Sequence, residues 1–186
     1  MERRDNKTNF LVNAGLMIAI ATVLSYIVIV QMPQGGTVTA ASMVPIFLIA
    51  YKYGFKRGVM TGVVYGVLQA VLQASAVVHP VQLLLDYPIA FGFLGIAGIF
   101  SPKILDRSLG KGKKAGYIAA GTLIGVLGRF ICHILSGAIF FKEYAGLENP
   151  WIYSAVYNLS YLLPEFIITV IVTVLLLSTF ERFLYK

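Results

Sequence analysis

Charged residues are scarce in this chain, and their scarcity excludes an ordinary soluble domain. Of its 186 residues, 58% are hydrophobic and only 12% are charged. Soluble domains carry roughly 45–50% apolar and about 25% charged residues, so a soluble fold of this length would lack the polar side chains that cover its surface. Several apolar runs reach the length of about 18 residues that is typical of membrane spans. The composition therefore predicts an all-α protein of the lipid bilayer.

Cysteine pairs and the short motifs of common enzymes are also lacking. The single Cys132 lies in a hydrophobic run, so the chain holds no intramolecular disulfide framework. The segment Gly110–Lys113 lacks the spacing of a phosphate-binding G-x-x-x-x-G-K-[ST] loop, and neither H-E-x-x-H nor G-x-S-x-G occurs. We therefore expect no ATPase activity in this chain, no bound metal and no cofactor.

The apolar runs divide the chain into six predicted transmembrane helices within one domain, residues 1–186. Breakers separate them, as in Met32–Gly36 and in the basic turn Gly54–Gly58. The first run exceeds the core of a signal peptide, which spans about 7–15 residues, so we expect a retained helix. The predicted helices are Phe10–Gln31, Ala41–Tyr53, a third that ends at Gln73, Pro80–Phe100, Ala115–Phe141 and Trp151–Phe180.

Basic residues are distributed unevenly between the predicted loops. With six spans, 13 of the 15 lysine and arginine residues lie on one side of the membrane, and the loops of the other side hold only Lys142. Loops rich in positive charge stay in the cytoplasm, so both termini are predicted to be cytoplasmic. This topology explains the net charge of +7, and we expect no nucleic-acid partner. The 13 residues are Arg3, Arg4, Lys7, Lys52, Lys56, Arg57, Lys103, Arg107, Lys111, Lys113, Lys114, Arg182 and Lys186.

Polar residues interrupt the predicted spans, where they are expensive and usually mark a substrate path or a structural pair. At a rise of ~1.5 Å per residue, Asp86 lies about 9 Å below the outer surface, His133 about 12 Å and Asn158 about 10 Å. Three helices thus bring polar groups to one depth in the outer half of the bilayer. That convergence predicts one pocket that is open to the outside.

Aromatic residues accompany these polar groups at a similar depth. Arg129 precedes His133 by four residues and therefore lies on the same helix face, one turn deeper. A carboxylate among aromatic faces suits an organic cation, through charge pairing and cation–π contact. We interpret Asp86 as a lone counter-ion for such a ligand. The aromatic residues are Tyr65, Tyr87, Phe141, Trp151, Tyr153 and Tyr157.

Each of these assignments has a structural alternative. Asp86 and Arg129 would neutralise each other if they formed a buried pair. Independently of that pair, His133 would serve as an interhelical hydrogen-bonding residue. Glu165, deep in the last helix, receives no predicted role. Some of the aromatic residues would belong to the interfacial layer that is common in membrane proteins. That alternative applies to Trp151, Tyr153 and Tyr157.

Three segments carry a recognisable pattern: Ser42–Ile46 (SMVPI), Leu85–Phe91 (LDYPIAF) and Gly128–His133 (GRFICH). They contain an acidic-Tyr motif in the fourth predicted helix and a basic-x-x-x-His motif in the fifth. Together these motifs resemble those of the thiamine-specific substrate-binding (S) component of energy-coupling factor transporters. The resemblance covers essentially the whole chain, including helix count and loop lengths.

The resemblance implies a six-helix subunit of a prokaryotic plasma membrane that binds thiamine with high affinity. Such a subunit associates with a membrane coupling subunit and two ATP-binding subunits. The resemblance also implies that Asp86 pairs with the cationic thiazolium beside Tyr87, and that His133 and Asn158 hydrogen-bond the ligand. Further residues at matching ligand-binding positions are Tyr65, Arg129, Phe141 and Tyr153.

The first predicted helix carries a strip of small residues that resembles the partner-docking motif of the family. Gly15 and Ala19 are four residues apart, Thr22 and Ser25 continue the strip, and small residues let membrane helices approach closely. The alternative is ordinary packing within the bundle. The loop that follows departs from the family pattern, because Gly35–Thr37 lacks the tryptophan expected to cover the site.

Two other functions stay open at this point. An S component for riboflavin or a pyrimidine would keep the same architecture, but a flavin has no fixed cation to pair with Asp86. An intramembrane enzyme would use Asp86 and His133 as an acid–base pair, although the motifs place no nucleophile or metal beside them.

Overall fold

Six main helices, a short β-hairpin and one 3₁₀ turn at Lys142–Ala145 form the regular structure of the described residues. The computed structural model describes residues 7–73, 77–179 and 184. The four helices Lys7–Ser25, Pro80–Ile104, Lys111–Phe140 and Pro150–Thr179 are long and apolar enough to cross a membrane, which confirms the predicted all-α membrane bundle. The elements are α1 (Lys7–Ser25), β1 (Val28–Gln31), β2 (Thr37–Thr39), α2 (Val44–Tyr53), α3 (Phe55–Gln73), α4 (Pro80–Ile104), α5 (Lys111–Phe140) and α6 (Pro150–Thr179).

Four of the basic residues used to predict the topology lie outside the described residues. The cytoplasmic location of both termini therefore stays a prediction from the positive-inside rule. These residues are Arg3, Arg4, Arg182 and Lys186.

Helix α2 lies in the centre of the bundle. It has ten residues, and all eight from Val44 to Tyr51 are buried. The hydroxyl of Tyr51 donates to the carbonyl oxygen of Ile118 at 2.8 Å and lies 2.9 Å from Oγ1 of Thr122, both on α5. The segment predicted as a short span from Ala41 is thus a core helix, around which the longer helices pack.

The first helix ends earlier than predicted, and a β-hairpin follows it. The prediction of helix to Gln31 is wrong, because α1 stops at Ser25 and β1 pairs antiparallel with β2, with Gln31 opposite Thr37. The β-branched run in β1 favours a strand. Gly35 takes a φ of 92° in the turn, a conformation that glycine adopts without strain. The turn of the hairpin lies against Tyr153 and Tyr157 of α6.

Helix α4 is irregular where it carries the acidic-Tyr motif. Pro88 has no backbone N–H and cannot complete the α-helical bond pattern. The turn Leu85–Ile89 widens into a π-helical turn, and the N–H of Ala90 donates to the carbonyl oxygen of Leu85, five residues back. A widened turn shifts the direction of the side chains within it, and such turns are frequent at functional sites. Asp86 lies within this one.

Glycines allow the backbones of α3 and α4 to approach closely. A Cβ atom built on Gly66 would lie 2.6 Å from the carbonyl oxygen of Tyr87 and 2.7 Å from Cα of Pro88. No side chain fits between these backbones, so α3 supports the π-helical turn directly. The glycines at this contact are Gly58, Gly62 and Gly66 on α3 and Gly92, Gly95 and Gly98 on α4.

We predict that Gly66→Ala lowers the free energy of unfolding by about 1–3 kcal/mol, because the added methyl group forces the two backbones apart. The thermal unfolding midpoint of the purified protein in detergent measures this effect. Gly116→Ala is the matched control, since a Cβ at that position meets nothing within 4 Å. Equal midpoints for the two variants would contradict the close α3–α4 contact.

Candidate ligand-binding site

One cavity of about 850 Å³ opens between the hairpin and helices α1 and α3–α6. Its volume lies within the range of roughly 300–1,000 Å³ that is common for small-molecule sites. All eight predicted ligand-binding residues line it, so the structure brings together the groups that the sequence placed at one depth. Their contact with a ligand stays a prediction. These residues are Tyr65, Asp86, Tyr87, Arg129, His133, Phe141, Tyr153 and Asn158.

The carboxylate of Asp86 is held by three protein groups. Its Oδ1 lies 3.0 Å from Nδ1 of His133. Its Oδ2 accepts from Nε2 of Gln82 at 2.6 Å and from Oγ of Ser136 at 2.7 Å. The interpretation of Asp86 as a lone counter-ion is therefore wrong in one respect, because the carboxylate is tethered before any ligand arrives. The side chain is still 16% exposed, and the exposed side faces the cavity.

His133 lies between the charges of Arg129 and Asp86. Nε of Arg129 donates to Nε2 of His133 at 3.1 Å. A ring nitrogen that accepts carries no proton, so we assign the proton of the imidazole to Nδ1, which donates to Asp86. The guanidinium of Arg129 also lies over the ring of Phe91, 4.4 Å from its centroid, and contacts the sulfur of Met43. Asp86 and Arg129 thus interact through the imidazole and not as the direct pair considered above.

Asn158 ties α6 to α5 at the edge of the cavity. Its amide nitrogen donates to the carbonyl oxygen of Ser154 at 2.8 Å and lies 3.4 Å from that of His133. Its Oδ1 accepts from the hydroxyl of Tyr161 at 2.6 Å. Two of these contacts lie within α6 and only the one to His133 reaches α5, and a hydrogen bond from Asn158 to a ligand stays a prediction.

Three tyrosines spaced four residues apart on α6 form one side of the cavity. The rings of Tyr153 and Tyr157 stack with centroids 6.4 Å apart, and Tyr161 packs edge-on against Tyr157. The hairpin turn docks on them: Nε2 of Gln34 donates to the hydroxyl of Tyr153 at 2.8 Å, and the N–H groups of Gln34 and Gly36 donate to that of Tyr157, both at 3.1 Å. The predicted aromatic environment is thus present, closed on one side by the hairpin.

Trp151 occupies a different position from the other aromatic residues. It is 49% exposed and does not line the cavity. Its position fits the interfacial alternative, whereas Tyr153 lies in the cavity wall.

Tyr65 is almost fully buried and packs edge-on against Phe91.

Glu165, to which the sequence assigned no role, holds the second strand of the hairpin. The side chain is buried on α6, and its Oε1 accepts from the backbone N–H of Thr39 and, at 2.7 Å, from the Thr39 hydroxyl. A carboxylate is a strong acceptor for N–H groups. Glu165 therefore fixes β2 against α6 directly below the tyrosines.

We predict that Glu165→Leu increases amide hydrogen exchange in residues 37–39, whereas Glu165→Gln does so much less. Leucine leaves the buried N–H of Thr39 without its acceptor, at a cost of about 1–3 kcal/mol, whereas the amide oxygen of glutamine still accepts. Exchange followed by mass spectrometry measures the difference. Equal exchange in wild type and in Glu165→Leu would show that this contact does not hold the strand.

Two hydrogen-bond partners of Asp86 could have been predicted from the sequence but were not. Gln82 precedes Asp86 by four residues on the same helix face, and Ser136 follows His133 by three, so helical spacing places both near the carboxylate. Glu165 had no such signal, because its partner Thr39 belongs to a hairpin that was predicted as helix and loop.

The family model described as Thiamine transporter protein (Thia_YuaJ) matches residues 11–185 of this chain. The chain belongs to the thiamine transporter family. Thiamine transporter ThiT of Bacillus subtilis is 40% identical over 179 residues, which cover 94% of this chain and 93% of that protein. Thiamine transporter ThiT of Lacticaseibacillus paracasei is 33% identical over 107 residues, 56% of this chain and 53% of that protein.

A solved structure of ThiT from Listeria monocytogenes shares the fold of this transporter. The two match with a TM-score of 0.86 over 97% of this chain and 99% of that chain, at 23% sequence identity. Membership of a transporter family confirms that the chain is a transport protein and not an enzyme. The bacterial relatives and the apolar helices confirm a multi-pass protein of a prokaryotic plasma membrane.

Proposed function

We propose that this transporter is the thiamine-binding subunit of an ATP-driven importer, and that thiamine binds in the cavity described above. The observation that carries the proposal is the position of Asp86, which is the one acidic residue among the described residues that line the cavity. Family membership supports thiamine as the ligand, and thiamine carries a fixed positive charge on its thiazolium ring. A cation in a membrane-embedded cavity requires a counter-charge, because desolvation of an unpaired charge is costly.

The geometry around Asp86 leaves capacity for a ligand. A carboxylate offers about four lone-pair sites, and His133, Gln82 and Ser136 occupy three of them. Because these three groups already fix the carboxylate, it loses little conformational freedom when a ligand binds, and the entropy cost of binding is lower. The tyrosine faces of α6 lie in the same cavity and add cation–π attraction.

We predict that Asp86→Asn weakens thiamine binding about 100-fold or more, because removal of one member of a desolvated charge pair costs about 3–5 kcal/mol. Isothermal titration calorimetry of the purified protein in detergent measures the dissociation constant. Asp106→Asn is the matched control, since Asp106 lies in the exposed loop between α4 and α5 and bonds to Ser108.

Riboflavin titrated into the wild-type protein tests the alternative ligand. We expect no heat of binding, since a neutral flavin leaves the charge of Asp86 without compensation. Wild-type binding of riboflavin without thiamine binding, or full thiamine affinity in Asp86→Asn, would contradict the proposal.

We also propose that the transporter works with a membrane coupling subunit and two ATP-binding subunits. The chain lacks a phosphate-binding loop of its own, so an ATP-driven cycle needs a partner that has one. The outward face of α1 supports the docking position. Gly15 and Ala19 are exposed, and a Cβ on Gly15 would meet nothing within 4 Å.

One residue of the small-residue strip does not belong to this outward face. Ser25 is buried on the opposite side of α1, where it lines the cavity. Thr22 is half-buried, so the exposed positions of the strip are Gly15 and Ala19, and the prediction that Ser25 continues it is wrong.

We predict that Gly15→Leu combined with Ala19→Leu reduces ATP-dependent thiamine uptake to background while thiamine affinity stays unchanged. Bulky side chains prevent close approach of a partner helix but lie far from the cavity lining. Uptake into proteoliposomes that contain the energising subunits measures transport. Val71→Leu, on the exposed face of α3, is the control; full uptake by the double variant would place the docking surface elsewhere.

A further inference from the structure

Two glutamines of α3 converge on one serine of α1 in the wall of the cavity. Nε2 of Gln73 donates to Oγ of Ser25 at 2.8 Å, and Nε2 of Gln69 lies 3.4 Å from the same oxygen. Oγ of Ser25 in turn donates to the carbonyl oxygen of Thr22 at 2.7 Å. All three side chains line the cavity, and none of them has a part in the binding site described above.

The serine determines which way both amides point. A hydroxyl has one proton, and Ser25 gives that proton to the carbonyl oxygen of Thr22. Its oxygen can therefore only accept from Gln69 and Gln73, so both amides turn their nitrogens toward Ser25. Each side-chain carbonyl oxygen then points away from the serine.

Neither of these oxygens has a protein partner in the described part of the chain. Gln69 is only 3% exposed and lines the cavity together with Gln73, so the cavity is where a ligand donor can reach the side-chain oxygens. An acceptor without a protein partner at the wall of a ligand cavity is available to a donor of the ligand. The structure thus presents two acceptors whose nitrogens are held by Ser25.

We propose that Gln69 and Gln73 form a subsite that recognises a hydrogen-bond donor of the ligand, and that Ser25 is the positioning residue that orients them. The inference rests on the proposed function, in which the ligand is thiamine. Thiamine carries two such donors, the exocyclic amine of its pyrimidine and the hydroxyl of its side chain. The subsite and Asp86 line the same cavity, so one ligand can contact both.

The subsite has a consequence for selectivity. Two carbonyl oxygens attract an N–H or O–H group and repel a group that only accepts, such as an oxo group or a phosphate oxygen. A site that is built to bind a donor discriminates against analogues that lack it, because the acceptors are then left unpaired. The amide pair therefore selects for the free donor at the position that it contacts.

The test compares Gln69→Leu and Gln73→Leu with wild type by calorimetric titration of thiamine, oxythiamine and thiamine monophosphate. Leucine keeps the bulk of the side chain and removes the acceptor. We expect each variant to bind thiamine about tenfold more weakly than wild type. Oxythiamine lacks the amine and thiamine monophosphate lacks the hydroxyl. If the leucine substitution no longer weakens binding of one of these analogues, the group that this analogue lacks is the donor.

Ser25→Ala tests the orientation separately. Without the hydroxyl both amides are free to turn and present N–H groups, so the preference for thiamine over the identified analogue is expected to fall. Ser178→Ala is the matched control, since Ser178 also bonds to a backbone carbonyl within its own helix and lies outside the cavity. Thermal unfolding midpoints show that each variant is folded.

Three outcomes overturn the subsite. Thiamine affinities of both leucine variants within about twofold of wild type would show that the amides make no contact with the ligand. An equal loss for thiamine and both analogues would indicate a packing effect. An unchanged preference in Ser25→Ala would remove the role of the serine. If wild type does not bind thiamine at all, the proposed function fails as well. Thiamine binding by wild type therefore distinguishes failure of the subsite alone from failure of the proposed function.

Discussion

The hydrogen bond between Asp86 and His133 is the interaction on which the candidate site depends. It joins α4 to α5 within an apolar bundle, where an unpaired carboxylate would be costly. Arg129 bonds to the other nitrogen of the imidazole, and this bond fixes both the ring and its proton. The three residues hold one negative charge at the cavity surface while the positive charge is directed toward Phe91 and Met43.

Backbone geometry supports this arrangement from the other side. The π-helical turn that Pro88 requires changes the direction of Asp86, and the glycines of α3 allow the turn to lie directly against a neighbouring helix. The hairpin closes the opposite side of the cavity, where the Tyr157 hydroxyl and Glu165 accept its backbone N–H groups. A rigid site of this kind lowers the ordering cost of ligand binding.

Much of this site was predictable because polar residues are rare in membrane helices and usually mark a substrate path or a structural pair. Helical rise alone placed Asp86, His133 and Asn158 at one depth, and the structure brings them to one cavity. The hairpin was not predictable in the same way, because the apolar run of α1 continues into Val28–Gln31 and periodicity does not separate a short strand from the end of a helix. Ser25 was misplaced for the same reason, since its buried face follows from its contacts with α3 and not from its spacing to Gly15.

A structure of this transporter with thiamine bound tests the central claim most directly. The account predicts thiamine in the cavity between the hairpin and α3–α6, with a ligand atom within hydrogen-bonding or ion-pair distance of the Asp86 carboxylate and aromatic rings of α6 against the ligand. Thiamine bound elsewhere, or bound in this cavity while Asp86 contacts only its three protein partners, would contradict it.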